Sequence, residues 1–416
     1  MYTGRHKIDF GIMIMNMRNY IVVLFAVLLL MPISGFAQKK EISAARANIK
    51  KGQNLEDAEK SMRNLLKDSA NLHNEKIWLT LFDAVKKQYD QLNEKLYLKQ
   101  QSDTAKLFRH TLHMFDVLES LDSIDNIKGK NGKVEHSYRK RHGNFLDSHR
   151  ANLFNGGLYF IKKQSFDEAY RLFDCYIDCA EQPLFEDFDY ASTDERLPEA
   201  AYWSMFCGYK LNDAQKIDKY TDLAKIGGKH EVYMLQYIAE SYLQKNDTAN
   251  YRKTLETGFA KYPEHLYFFS HLAIYYGKIG LHREVLDISE KALEHDENNV
   301  SALVALSSAY YQLHRYDECV SASDKVIDLG VMVPIVFANA GFSYYVQSIT
   351  ITKKVRLTDD DKSRLRLLYK RALPYFEKYR EMRPEDADVW GKPLYNIYLN
   401  LNMCEQFEEI DAILNK

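Results

Sequence analysis

Apolar residues recur along this chain at helical spacing, and from Val232 onward the pattern itself repeats every 34 residues. With Val232 as position 1, Leu235, Ile238, Ala239 and Tyr242 fall at positions 4, 7, 8 and 11, and Pro263 at 32. The next window holds Phe269, Leu272, Ala273 and Tyr276, with Gly280 at 15 and Ala292 at 27. Leu303, Leu306, Ser307 and Tyr310 follow, then Phe337, Ala340, Gly341 and Tyr344. Each window reads as helix by its period, and the recurrence of one pattern predicts a stacked helical array. An earlier window, read from Arg150, contains Leu153, Gly157, Phe160, Phe166, Ala169 and Phe173.

Between these windows, Ala200 to Ala224 reads as a further, less regular helix pair. The last in-phase window breaks after Tyr344, and its second helix resumes at Ala372, Phe376 and Tyr379. That spacing implies an insertion over about 347–364, as longer helices or as an edge loop. Pro374 is expected to kink the resumed helix. A final pair starts near Trp390, and its acidic last helix (Glu405, Glu408, Glu409, Asp411) suits a capping element. Residues 38–122 are helical by period with degenerate repeats. Residues 123–149 read as a basic loop and the start of a long helix, so the array proper spans 150–416.

The first 37 residues read differently. Arg18 precedes an apolar run, Ile21 to Ile33, and small residues follow at Gly35 and Ala37. This is the layout of a signal peptide cleaved near Ala37/Gln38, and the run is too short for a membrane anchor, which needs about 20 residues. The expectation is an exported protein, periplasmic in a Gram-negative cell, with no integral span after cleavage. Translation starting at Met15 or Met17 would give a more ordinary leader. Composition agrees with a helical fold: 51 Tyr and Phe residues (30 and 21) stand against only 8 Pro and 18 Gly. The net charge of −2 offers no global attraction for nucleic acid. Five cysteines suit no disulfide framework; Cys175 and Cys179 read as buried apolar residues, or as partners of a bridge to Cys207.

At the phased positions the chain resembles the tetratricopeptide-repeat (TPR) family, whose pattern puts a large apolar residue at 4, small residues at 8 and 20, and aromatics at 11, 17 and 24. The segments Asn155–Phe160 and Leu394–Met403 also resemble exported TPR proteins of the Bacteroidetes. The resemblance implies an all-α TPR-type solenoid, a right-handed superhelix of antiparallel helix pairs. It further implies a concave face lined by positions 2, 5, 9, 12 and 13. Carried over, these give Phe154, Leu158 and Lys162 in the early repeat, then Tyr233, Gln236, Glu240 and Gln244, Tyr267, Ser270 and Lys278, Val304, Ser308, Tyr311 and Gln312, and Ile335, Phe342 and Tyr345. Such a groove is rich in aromatics and amides, which suits a protein or peptide segment and would also suit a glycan or small ligand. The Lys and Asn that grip a peptide carboxylate in the chaperone-binding branch are replaced by Gln236 and Glu240, Ser270 and Ile274, and Val304 and Ser308.

Candidate chemistry is sparse. Nucleophile elbows, phosphate-binding loops and His-Glu-x-x-His helices are absent from the sequence. His110 and His113 share a helix face, a workable metal spacing, but no third ligand lies at a diagnostic distance. Asp359–Asp361 read as a solvated helix N-terminus, and the basic stretch Lys128, Lys130, Lys133, Arg139, Lys140, Arg141 as a solvated loop. No catalytic, cofactor-binding or metal-binding residue is assigned. The expectation is a non-enzymatic scaffold in an envelope assembly or secretion complex, with its oligomeric state open.

Overall fold

The computed structural model describes residues 38–125, 127–128 and 134–415; the signal-peptide reading lies outside these residues. The chain forms two compact units that divide between Lys229 and His230. In the first, a helix over 38–51 (α1) is followed by α2 (Leu55–Leu65), α3 (Glu75–Tyr97) and α4 (Thr104–Ile124). Next come a two-residue antiparallel hairpin pairing Ile127–Lys128 with Val134–Glu135, the long α5 (Arg139–Lys162) and α6 (Phe166–Asp178). A short α7 (Tyr190–Thr193), α8 (Leu197–Lys210), α9 (Ala214–Asp218) and α10 (Thr221–Ile226) complete it.

Helices in this unit lie against their chain neighbours, and α4 also touches α6. Arg150 ties three elements together from a buried position. It donates to Asp194 at 2.5 Å and to the Tyr176 carbonyl at 2.9 Å, with its guanidinium 3.8 Å and 3.9 Å from the Tyr176 and Tyr190 ring centres. A buried guanidinium persists only when paired in this way. The basic stretch is partly neutralised: Arg139 pairs with Asp122 at 2.8 Å and reaches Glu186, and Arg141 lies over the Tyr138 ring. Lys130 and Lys133 fall outside the described residues.

The second unit is a run of helical hairpins: α11 (Glu231–Gln244), α12 (Thr248–Lys261), α13 (Leu266–Lys278), α14 (His282–His295), α15 (Val300–Gln312), α16 (Tyr316–Asp328), α17 (Pro334–Thr352), α18 (Asp359–Met382), α19 (Ala387–Leu401) and α20 (Cys404–Leu414). First helices of successive hairpins also touch each other, α13 with α15 and α15 with α17. The turns are set by left-handed residues at position 15, where a helix can end without leaving its last carbonyls bare. Asn212, Asn246, Gly280 and His314 have φ of 54°, 58°, 76° and 58°, each 34 residues after the last. The phase therefore reaches one repeat further back than the side-chain pattern, to the hairpin that begins at α8. Its second half is broken into α9 and α10, which is why the apolar pattern there is weak.

The inserted residues lengthen both helices of the fourth hairpin. α17 has 19 residues and α18 has 24, against 13 or 14 in the hairpins before them. α18 starts with a capping box: Thr358 accepts from the Asp361 N–H, and Asp361 accepts in return from the Thr358 N–H. The helix continues through Pro374 to Met382. At the end of the chain only Ile410 of α20 is buried, with Glu405, Glu408 and Glu409 exposed.

Where hairpins meet, side-chain volume is rationed. A Cβ on Gly258 would stand 2.3 Å from the Phe268 ring, whereas one on Gly277 of α13 would meet nothing within 4 Å. Gly258→Ala is expected to cost about 1–3 kcal/mol by overpacking, and Gly277→Ala to gain up to about 1 kcal/mol of helix propensity. Urea unfolding of the two variants checks this; equal effects would contradict the packing account. In the first unit, burial and the neighbouring Arg141 charge lower the His142 pKa to about 4. The unfolded chain then binds the proton first, so His142 removes stability as pH falls from 6.5 towards 4. Thermal unfolding at pH 7 and pH 5 should show that loss, and His142→Gln should shrink it.

Candidate functional site

Position 8 of the third hairpin shows how the repeats bring their first helices together. Ser307 lies 3.9 Å from Cys319 at position 20 and 2.8 Å from Ser323, so these helices meet through small side chains. Buried Asn339 of α17 donates to Ser307 at 3.0 Å and to Ser308 at 3.2 Å. Ser343 donates to the Asn339 carbonyl, and Ser323 to that of Cys319. Thus the small position-8 residue both admits the second helix and links to the next repeat. Paired helices of 13–14 residues, a 34-residue phase fixed in the backbone, small residues at the crossing and stacked first helices decide the fold. The arrangement resembles that of tetratricopeptide repeats.

The first helices of the second and third hairpins of the second unit, α13 and α15, enclose an open groove of about 560 Å³. Ile274, Ala273, Val304 and Ala305 line it, with Val285 of α14 and Val300 at its sides. Ser270, Ser301, Ser308, Gln312 and His282 supply its polar side chains. Ile274 is 55% exposed, although it sits in mid-helix and heads no turn. Volume and lining are those of a site that encloses an apolar group and orients it with a few hydrogen bonds.

Most of the residues expected from the sequence fall into three sets. Ser270, Val304, Ser308 and Gln312 line this groove, and Ile274, noted only for lacking the clamp asparagine, is its most exposed apolar member. Tyr233, Gln236, Tyr267, Tyr311 and Phe342 are at least partly exposed but belong to its surroundings. Tyr233 is 45% exposed and meets His265 edge-on, and Tyr267 donates to Glu240 at 2.9 Å. Tyr311 and Phe342 touch each other, with ring centres 6.3 Å apart, and burial raises the Tyr311 hydroxyl pKa. Phe154 and Tyr345 require correction, because both are buried. Phe154, in the first unit, packs edge-on against Phe173 at 5.6 Å. Tyr345 packs on Phe376, and its hydroxyl accepts from Asn396 at 2.6 Å. The groove is consequently aliphatic with hydroxyls, where aromatics and amides were expected. Of its missed residues, Ser301 stands at position 2, a concave-face position that the carry-over omitted, whereas Val300 and Ala305 carry no distinguishing sequence signal.

All five cysteines are unbridged. His110 and His113 share α4 as expected, and the fold sets Glu59 of α2 beside them. Among the described residues no helix is long and apolar enough to cross a membrane.

No family model matches the chain, and no curated protein does. Solved structures with similar helical arrangements include the C-terminal part of a TPR repeat-containing protein from Cytophaga hutchinsonii. It is 14% identical with a TM-score of 0.44, over 62% of this chain and 95% of that one. The TPR domain of P58(IPK) is 12% identical with a TM-score of 0.27, over 91% and 98%. Yeast Tom70 is 14% identical with a TM-score of 0.30, over 90% and 91%. The repeat assignment rests on the backbone phase and packing described above, not on these overlays.

Asn339 orients Ser308 at the groove wall, so Asn339→Ala is expected to cost roughly 1–2 kcal/mol through the unpaired hydroxyls it leaves. Chemical denaturation measures this, and an unchanged midpoint would show the network to be energetically idle.

Proposed function

We propose that this chain is an exported scaffold that holds an apolar segment of a partner protein in the groove between α13 and α15. The observation that carries the reading is Ile274, exposed in mid-helix inside the groove, flanked by Val304 and within reach of four hydroxyl or amide side chains. Exposed apolar surface concentrated in a concave site favours a ligand that can cover it. A peptide supplies both the apolar side chain and the backbone groups that serine hydroxyls and Gln312 can bond.

The alternative of a glycan ligand fits the same groove less well. Sugars are held by flat aromatic faces, and the walls here are aliphatic. The absence of recognisable catalytic motifs in the sequence supports binding over catalysis. The apolar run Ile21–Ile33 with Gly35 and Ala37 supports export to the periplasm, where an envelope assembly or secretion complex would supply the partner.

Peptides selected by display on the purified protein should converge on apolar sequences. Ile274→Glu combined with Val304→Glu should weaken their binding at least about ten-fold while the unfolding temperature stays put. Selected peptides that bind the double variant as tightly as the parent would remove the groove from consideration.

A further inference from the structure

The cluster at Glu59, His110 and His113 is separate from the groove and independent of what the groove binds. His110 and His113 stand one turn apart on α4, and α2 brings Glu59 against them. One ligand atom from each residue can be chosen so that all three lie within 4.8 Å of one another. Edges of about 3.3 Å, which metal bonds of about 2 Å require in a tetrahedral site, are a contraction within the range of side-chain torsions.

The state of His110 sets this cluster apart from ordinary core histidines. It is only 5% exposed, yet neither of its ring nitrogens has a hydrogen-bond partner. Buried imidazoles nearly always bond at least one nitrogen. The Nδ1 of His113 is likewise without a hydrogen bond, 3.5 Å from Glu59 Oε1. Glu59 is held in place by Gln88 and Arg63. Gln88 donates to Oε2 at 2.7 Å and Arg63 to Oε1 at 2.9 Å. A carboxylate has about four lone-pair positions, so it can take a cation while keeping Gln88 as an orienting partner. Arg63 is partly exposed and free to turn outward. A cleft of about 410 Å³ reaches His110 past Gln88 and Lys106 and gives a route in.

We propose that Glu59, His110 and His113 form a binding site for a divalent transition-metal ion of the zinc class, clamping α2 to α4. Two imidazoles and one carboxylate form a ligand set that leaves a fourth position open to water. The clamp would join helices otherwise linked at this end by the exposed Lys106–Glu56 ion pair. A second trio, Glu119, Cys175 and Cys179, also brings its ligand atoms within 4.8 Å. Its Glu119 Oε1 is also buried without a hydrogen-bond partner, but Cys179 Sγ already bonds the Cys175 carbonyl, and this trio serves as the internal competitor.

The test titrates the EDTA-stripped full chain with zinc(II) by calorimetry and with cobalt(II) by absorption. A single equivalent should bind, with a cobalt spectrum free of thiolate charge transfer. Cys175→Ser with Cys179→Ser should leave binding intact. His113→Ala should weaken it by more than about 100-fold, beyond the usual effect of removing an outer-shell partner. Circular dichroism confirms that each variant folds, and Glu59→Gln, which keeps the side-chain shape, gives the same answer if His113→Ala does not fold. Absence of zinc binding, survival of binding in the folded variants, or its loss only in the cysteine pair would each overturn the assignment.

Discussion

The fold depends on side chains that are absent where helices must touch. Gly258 lies under the Phe268 ring, Gly157 under Phe173 and Gly341 under Phe376, and a Cβ at any of them would stand 2.3 to 3.0 Å from the ring. Each phenylalanine fills the space that its glycine leaves, so the distance between two helices is set by one ring thickness. Close packing makes that distance unforgiving. The device recurs in both units, at Gly157 in the first and at Gly258 and Gly341 in the second.

Much of this was legible in the sequence because the constraint is periodic. Gly157 and Gly341 appear at position 8, and the turns recur at position 15, where Asn, Gly or His tolerates the left-handed backbone. The hairpin beginning at α8 was faint because its second half divides into α9 and α10, which dilutes the apolar pattern while leaving Asn212 in phase. The insertion was locatable from the delay between Tyr344 and Ala372, but not its form. That depended on the Thr358–Asp361 capping box, which lets α18 begin early and turns most of the extra residues into helix.

The groove was only half legible, for a physical reason. A position in the repeat fixes the direction of a side chain, but the length and sequence of the next repeat decide whether it meets solvent. Tyr345 points where a groove residue should, and the long fourth hairpin and Asn396 of α19 close over it. Ile274 stays exposed because Ser308 and Ala305 opposite are short. The Glu59–His110–His113 cluster was further out of reach, since Glu59 sits in a different helix and helical spacing cannot reveal a neighbour across a turn.

The lengthened fourth hairpin also changes how the second unit would come apart. In a linear stack each repeat is held by its neighbours alone, so opening starts at the ends. Here α20 contributes a single buried residue, Ile410, whereas α19 adds Trp390, Leu394 and Ile397 to the apolar cluster of α17 and α18. Opening from this end would therefore come in two steps of different size. Amides of α20 would exchange with solvent in a small local event, and those of α17 to α19 only in a much larger and rarer one.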